Sequence, residues 1–341
     1  MRARLAFAIA AVLAWYTPAQ AQSVADFYRG KSVQMLIAYT SGGGYDLNAR
    51  VLARHIGKHI PGNPTVVPQN FAGAAGLRLA NFMYNAAPKD GTTLGIFARG
   101  SSTAPLISNE GAQFDARRYT WIGSVSDEVS LCAAWHTSKV KTFDDLLTMP
   151  FVAGAQGTQS DSALFANILR STFGAKIRLV SGYPGTSEIS LAMERGEVEG
   201  RCGWAWGSIK ITQPEWLASK KLIPLIQLSL QRADDLPDLP LIMDRARNES
   251  ERKMFQLVFS RQQMAWPFAA PPDIPADRAA ALRSAFEATM KDPAYLAEAK
   301  QRKLEVNPMT GIAMERLIRE LYEAPPDVIS ATKAAIAEGS K

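Results

Sequence analysis

Glycine-rich turns that separate strands from helices are the segments of this sequence best suited to bind an anion. The first turn, residues 39–46, contains three consecutive glycines. Such a turn presents backbone N–H groups at the start of a helix, where unpaired donors and the helix dipole favour a negative charge such as a carboxylate. The same residues also fit a plain tight turn in which Asp46 caps the helix. The position between a strand and a helix makes us favour the anion site.

Two further turns have a related pattern. Residues 154–161 place hydroxyls, amides and backbone donors before a helix. This turn and the first one would grip both ends of a dianion from two facing helix N-termini. Its Ser and Asp residues are also ordinary N-caps. Residues 71–76 form a third turn of small residues, which fits a ligand close to the backbone and, equally, close packing of helix on sheet.

Arg201 lies among glycines and tryptophans in the segment 200–206. A guanidinium at this position can pair bidentately with a carboxylate, and Trp204 and Trp206 can wall an apolar or aromatic ligand. A surface arginine beside core aromatics explains the same residues equally well.

Motifs of catalysis and of cofactor binding are missing from the sequence. The first turn lacks G-x-G-x-x-G spacing, and no G-x-S-x-G occurs. His55 and His59 are four residues apart, but no third ligand accompanies them, and His136 stands alone. We therefore predict no catalytic residue, no metal site and no cofactor.

The elements that carry the turns alternate between apolar runs and segments with helical spacing. Strands are predicted at 33–38, 65–68, 93–97, 129–135, 151–155, 177–180 and 222–230. Helices are predicted at 46–60, 77–87, 143–147, 162–173, 187–194, 249–258, 277–290, 293–302, 313–322 and 327–338, with Pro-rich breaks at 237–240 and 267–275.

This order predicts an α/β fold with two lobes, each a doubly wound and mostly parallel sheet, and a ligand cleft between them. The length of 341 residues also fits two domains. We expect residues 22–124 and 236–341 to form lobe 1 and residues 125–235 to form lobe 2.

Composition narrows the function classes. With 47% hydrophobic and 21% charged residues, the chain is globular rather than disordered, collagenous or a membrane bundle. The net charge of +6 is mild, and no run of five or more like charges occurs. A nucleic-acid partner is therefore disfavoured.

Residues 1–21 have the three parts of a secretory signal peptide. Arg2 and Arg4 precede an apolar stretch, and residues 19–21 form an A-x-A cleavage site. Cleavage would lower the net charge to +4, because two arginines and no acidic residue are removed.

The sequence has two cysteines, Cys132 and Cys202. In an oxidising compartment they can form one disulfide. We favour the alternative, two unpaired cysteines that are buried as small apolar residues.

The turns, taken in order, resemble those of the Bug/TctC family, the periplasmic receptors of tripartite tricarboxylate transporters. The resemblance begins in residues 33–50 with a strand, an aromatic residue, a Gly-Gly turn and an Asp before a helix. It continues through residues 70–76, 87–94, 157–160 and 183–185. It implies a type II-like periplasmic binding protein whose lobes close over an organic carboxylate, either a di- or tricarboxylate or an aromatic acid.

The resemblance also implies a set of ligand-binding residues, to which we add Gln159 and Arg201. The carried-over candidates are Tyr39, Ser41, Gly42, Gly43, Asp46, Ala74, Gln156, Gly157, Thr158 and Tyr183. The implied partners are the large and small membrane subunits of such a transporter, and we expect a monomeric, periplasmic protein that is not an enzyme.

The sequence departs from the family pattern at two places, which leaves the ligand open. Glu199-Gly200-Arg201 follows the Gly-x-Val motif where the family often has Asp, and Gln159 and Ser160 stand where it often has His. We expect Arg201 to contact the distal carboxylate of a dicarboxylate. A secreted α/β enzyme acting on a carboxylate and a ligand-sensing receptor for a signalling partner are the alternatives.

Overall fold

Two β-sheets organise the molecule. The computed structural model describes residues 22–107, 111–157 and 160–340. The strands are β1 Ser32–Ile37, β2 Thr65–Asn70, β3 Thr93–Ile96, β4 Thr120–Ser124, β5 Ser130–Trp135, β6 Phe151–Ala155, β7 Ile177–Ser181, β8 Gly200–Ala205, β9 Leu222–Leu228, β10 Pro267–Ala270 and β11 Met309–Thr310.

Helices cover and connect these sheets. They are α1 Val24–Tyr28, α2 Gly44–Ile56, α3 Leu77–Asn85, α4 Ala104–Ile107, α5 Phe143–Thr148, α6 Asp161–Phe173, α7 Thr186–Glu194, α8 Trp206–Thr212, α9 Pro214–Ala218, α10 Glu249–Phe259, α11 Ala276–Met290, α12 Pro293–Gln301, α13 Gly311–Tyr322 and α14 Pro326–Gly339.

The first sheet has the strand order β11-β4-β10-β3-β1-β2, and the second has the order β7-β6-β8-β5-β9. Strands β2 and β3 run parallel to β1, while β10 is inserted antiparallel between β3 and β4. In the second sheet β7 and β8 run parallel to β6, and β5 pairs antiparallel with β8 and β9. The predicted α/β class with two sheets is confirmed, and both sheets are mixed.

Local sequence explains why each parallel unit forms. Strand β1 is buried at Val33, Met35, Leu36 and Ile37, as expected for a strand covered on both faces. The apolar residues of α2 then recur at helical spacing and are buried, and Pro64 with Gly62 follows the helix before β2 begins. The strand therefore ends at the turn 38–43, and the helix starts beyond it.

Sequence reasoning missed several strands. It assigned residues 267–275 to a Pro-rich break, but β10 begins there, with Pro267 as its first residue, where a missing N–H is tolerated. The amide of Phe97, just after β3, donates to the Pro267 carbonyl oxygen. Strand β10 lies between β3 and β4, which are consecutive strands in the chain. Strand β8 was missed as well, although the segment that contains Arg201 was recognised.

Cys132 and Cys202 form a disulfide that joins β5 to β8, so the expectation of two unpaired cysteines was wrong. The cysteines are 70 residues apart in sequence. They meet because β5 and β8 are neighbours in the second sheet. Sequence spacing alone does not reveal this pairing.

The C-terminal helix α14 packs against α6, the helix that follows strand β6 of the second sheet. The Asn167 side chain donates to Ser340, and a side chain at Gly339 would collide with the Asn167 carbonyl oxygen. Arg247, which precedes α10, donates to the Thr172 carbonyl oxygen at 2.8 Å. The lobe boundaries stay a prediction, and parts of the segment 236–341 contact an element of 125–235.

No helix within the described residues is long and apolar enough to cross a membrane. The predicted signal peptide, residues 1–21, lies outside the described residues.

Candidate functional site

The first glycine turn leaves the N-terminus of α2 without a side-chain cap from any described residue. Its N-cap is Gly43, with extended backbone, and not Asp46. The Asp46 carboxylate instead accepts from the Gly42 amide at 3.1 Å, from Arg50 at 2.9 Å and from Asn70 at 2.9 Å. These contacts fix the conformation of the turn. They leave the backbone N–H groups at the start of α2 without a side-chain partner in the described part of the chain, so those groups stay available.

The second turn is closed by its own hydroxyl groups. Ser160 is the N-cap of α6 and accepts from the Ala163 amide at 3.3 Å. The Gln156 amide donates to Ser162 at 3.1 Å, and the Ser160 hydroxyl donates to the Gly157 carbonyl oxygen at 2.6 Å. Of the predicted residues in this turn, Thr158 and Gln159 lie outside the described residues.

The two turns were expected to face each other, and residues of both line one cavity. The glycines of the first turn face α7. A Cβ at Gly42 would lie 3.5 Å from the Ser187 hydroxyl, and one at Gly43 would lie 3.7 Å from the Thr186 hydroxyl. Helix α7 also lacks a side-chain cap among the described residues, since its N-cap is Gly185. Two uncapped helix N-termini, one from each side, therefore meet at this edge of the cleft.

The third turn reaches across to the second. Four consecutive residues, Gly73, Ala74, Ala75 and Gly76, have positive φ. For the two alanines this conformation costs about 1–2 kcal/mol each. The Ala75 carbonyl oxygen accepts from the Tyr39 hydroxyl at 3.2 Å, and the Ala75 methyl lies 3.4 Å from where a Cβ of Gly157 would be. This turn therefore forms one edge of the cleft.

A cleft between the two sheets contains a buried polar side chain without a hydrogen-bond partner in the described part of the chain, that of Arg201. This arginine is 3% exposed on β8, and its Nε and Nη1 meet no hydrogen-bond partner among the described residues. Burial lowers the pKa of Arg201 to about 10, so the guanidinium is still charged at neutral pH. Trp204 lies beside it, with the guanidinium carbon 5.0 Å from the ring centroid.

A buried ion-pair cluster borders Arg201. Asp161, the first residue of α6, lies 2.7 Å from Arg99 Nε and 3.2 Å from Arg261 Nη1. Arg99 follows β3 of the first sheet, so this contact joins the two sides of the cleft. Arg99 also donates to the Gln262 side chain at 2.7 Å. The cluster has two arginines for one carboxylate and therefore adds to the positive potential around Arg201.

Aromatic rings wall the cleft on the side of the first sheet. Tyr39 and Tyr45 pack with centroids 4.7 Å apart, and Trp266 packs edge-on against Tyr45 at 5.0 Å. The space between these rings and Arg201 is a cavity of about 30 Å³, room for only one or two water molecules. In this conformation the cavity is too small for an organic acid.

The structure brings three of the predicted site residues to the lining of this cavity: Tyr39, Gln156 and Arg201. Other predicted residues lie at its rim. Gly42 and Gly43 face α7, and Gly157 faces Ala75.

The other predicted residues that the structure describes lie outside the lining. Ser41 and Ala74 are exposed, Asp46 points to Arg50 and Asn70, and the Tyr183 ring packs 3.5 Å from where a Cβ of Gly154 would be.

Sequence reasoning missed Tyr45, Arg99, Asp161 and Trp266 among the lining residues. Arg99 had a usable signal, because Gly100 and two serines follow it directly after a strand, as in the other turns. Trp266 had none, since it reaches the site through the inserted strand β10, far along the chain.

The two histidines that resembled half of a metal site contact separate carboxylates. His55 Nε2 lies 2.8 Å from Glu298, and His59 Nε2 lies 2.7 Å from Asp292. These contacts fasten α2 and the 3-10 turn after it to α12 and its N-cap residue.

Comparison with known proteins gives a short match by sequence and nearly full-length matches by structure. No family model matches the sequence. A UPF0065 protein in the gbd 5' region of Cupriavidus necator is 43% identical over 93 residues, which is 27% of each protein. The matching segment thus spans about a quarter of the length of this curated relative.

Solved structures match nearly the whole chain. The periplasmic binding protein BugD has a TM-score of 0.72 at 21% identity and covers 90% of this chain and 98% of its own. A protein of R. palustris with adipate has a TM-score of 0.70 at 18% identity, covering 91% and 98%. MatC from Rhodopseudomonas palustris with bound malate has a TM-score of 0.68 at 16% identity, covering 90% and 99%.

The chain therefore has the two-lobed fold of periplasmic binding proteins. Within that class its structural neighbours are the Bug and TctC receptors, so the resemblance predicted from the turns is confirmed for the fold.

Proposed function

We propose that this protein is a periplasmic solute receptor that captures an organic carboxylate between its lobes. The unpaired guanidinium of Arg201 carries the proposal. A buried cation without a partner is strongly unfavourable in a ligand-free protein, and a carboxylate is the group that pairs with guanidinium best. Structural neighbours with adipate and with malate support the same ligand class.

Capture would proceed by movement of the lobes, with residues 22–124 and 236–341 on one side and 125–235 on the other. Because the cavity holds only one or two waters, the lobes must open to admit an acid and close around it. Once inside, the carboxylate exchanges water for Arg201 and for the uncapped N-termini of α2 and α7.

Residues 1–21 would direct the chain to the periplasm, and the disulfide between β5 and β8 is compatible with that oxidising compartment. The receptor would act as a monomer without turnover and deliver the acid to the large and small membrane subunits of a tripartite tricarboxylate transporter.

Titration calorimetry with a panel of organic acids tests the proposal. We expect at least one mono-, di- or tricarboxylate to bind, and Arg201→Ala to weaken that affinity about 100-fold, since a buried charge pair loses one partner. Arg195→Ala is the matched control, because Arg195 is an exposed arginine at the end of α7, and it should bind as the wild type does.

Two results would contradict the proposal. One is binding of neutral sugars or amines only. The other is an Arg201→Ala variant that folds and binds the acid with wild-type affinity.

A further inference from the structure

The buried, unpaired polar atoms of the side chains that line the cleft are all hydrogen-bond donors. Among the described residues, Nε and Nη1 of Arg201 have no partner, and neither does Nε1 of Trp204, a residue that is 1% exposed. Arginine and tryptophan have no acceptor atoms on these groups. A ligand that satisfies them must therefore present oxygen lone pairs to this part of the cleft.

The charges around these donors are positive in sum. Two buried arginines, Arg99 and Arg201, line the cavity against one lining carboxylate, that of Asp161. Asp161 also pairs with the buried Arg261, which is not a lining residue. Charges interact much more strongly in such a buried site than in water. An ammonium group on the ligand would meet this repulsion at short range.

An ammonium group would also need an anionic acceptor, and the one carboxylate of the lining is in use. Both oxygens of Asp161 are engaged, one by Arg99 and one by Arg261. One unpaired carboxylate oxygen lies near the first turn, Oε2 of Glu188, whose other oxygen accepts from Thr40. Glu188 is not a lining residue of the cavity.

We propose that the cleft selects organic carboxylates that carry no ammonium group, and that Arg201 and Trp204 determine this selection. The inference rests on the proposed receptor function and narrows its ligand class. A plain acid gives its carboxylate oxygens to the unpaired donors at no further cost. The corresponding amino acid makes the same contacts but places a desolvated cation beside Arg201 and Arg99.

Pairs of acids that differ only in the ammonium group test the selection on the unaltered protein. Suitable pairs are succinate with aspartate, glutarate with glutamate, propionate with alanine, and 3-phenylpropionate with phenylalanine. In calorimetry or thermal-shift titration at neutral pH, we expect the plain acid of any pair that binds to have at least a tenfold lower Kd.

The possible results separate the inference from the function on which it rests. If an amino acid binds as tightly as its plain partner, or more tightly, the selection is refuted while the receptor function stands. In that case Glu188→Gln shows whether Glu188 holds the ammonium group. If no carboxylate of any pair or of the wider acid panel binds, both proposals fail.

Two variants assign the selection to its residues, with the ratio of the two dissociation constants as the readout. Arg201→Gln should bring that ratio towards one, because it removes the cation while it keeps a side chain that hydrogen-bonds. A mere loss of packing would weaken both members of a pair equally and leave the ratio unchanged.

Trp204→Phe removes a single donor and keeps an aromatic ring. We expect it to weaken binding of the plain acid ~10-fold, in line with one hydrogen bond to a charged group. Trp216→Phe is its control, because Trp216 packs against Trp204 with centroids 6.2 Å apart but does not line the cavity. Equal affinities for the Trp204→Phe variant and the wild type would exclude Trp204 from the ligand contacts.

Discussion

The turns after β1 and after β6 follow one pattern, a buried strand, small residues and a helix, yet they end in opposite states. The turn before α2 uses its acid, Asp46, to brace itself from behind and leaves the helix N-terminus uncapped. The turn before α6 caps its helix with Ser160 and uses its acid, Asp161, to bind arginines from the other side of the cleft. Similar strand–turn–helix sequences can thus yield one uncapped helix N-terminus and one structural clasp.

The largest expected effect contrasts the two acids. Asp161→Asn leaves Arg99 and Arg261 buried without the carboxylate that they share and should lower the free energy of unfolding by ~3–5 kcal/mol. Asp46→Asn should cost clearly less, because its partner Arg50 is more than a third exposed. Urea unfolding of both variants gives the two values. Equal losses would show that Asp161 is no more of a clasp than Asp46.

The disulfide between Cys132 and Cys202 crosslinks two strands of the second sheet, the sheet that also carries the turn before α6. Replacing both Cys132 and Cys202 by Ala should lower the unfolding free energy by ~4 kcal/mol, because a crosslink over 70 residues restricts the unfolded chain. Denaturant unfolding of the double variant measures the loss. A thiol assay on the denatured, unreduced protein should detect no free thiol, and two thiols per chain would contradict the pairing.

A second buried acid, Glu128, differs from Asp161 in its partners. Its carboxylate accepts from the backbone amides of Gly207 and Val129, and burial raises the pKa of Glu128 to about 7 from 4.5. The folded protein thus keeps this proton to a higher pH than the unfolded chain does. The stabilisation from the bound proton is complete below about pH 4.5 and is lost as the pH rises through 7.

Glu128→Gln removes that dependence. The difference in unfolding free energy between the variant and the wild type should change by ~2 kcal/mol between pH 4.5 and 7, in favour of the variant at the higher pH. Denaturant unfolding at several pH values measures it. A difference that stays constant with pH would mean that Glu128 ionises as freely as an exposed acid.

The smallest effect concerns the caps themselves. Ser160→Ala removes the N-cap of α6 and should cost ~1 kcal/mol of stability with little change in acid affinity. Gly43→Ser adds a cap to α2, so it should stabilise by a few tenths of a kcal/mol and weaken acid binding, since the new hydroxyl competes for the helix N–H groups. The contrast fails if Ser160→Ala is the variant that weakens binding.

The sequence was most informative where one strand and one helix are adjacent in the chain. Apolar runs and helical periodicity located β1, α2, β6 and α6 to within a few residues. They did not locate β10, because a strand inserted between β3 and β4 is defined by partners that lie about 170 and about 150 residues away in sequence. Trp266 reaches the cleft beside β10 and was missed for the same reason.

The sequence likewise did not show which turn caps its helix and which leaves the helix N-terminus uncapped. Asp46 and Asp161 occupy similar positions in their turns, and local pattern treats both as caps. Their different roles follow from Arg50 and Asn70 in one case and from Arg99 and Arg261 in the other. Arg201 was recognised as a candidate, but its burial without a partner became visible only when β8 was placed in the sheet.

A crystal structure of the protein with the tightest-binding organic acid tests the central claim most directly. The account predicts a carboxylate within about 3 Å of Nε or Nη1 of Arg201, in the cleft between the two sheets. An acid bound elsewhere, with the Arg201 guanidinium still unpaired, would contradict it.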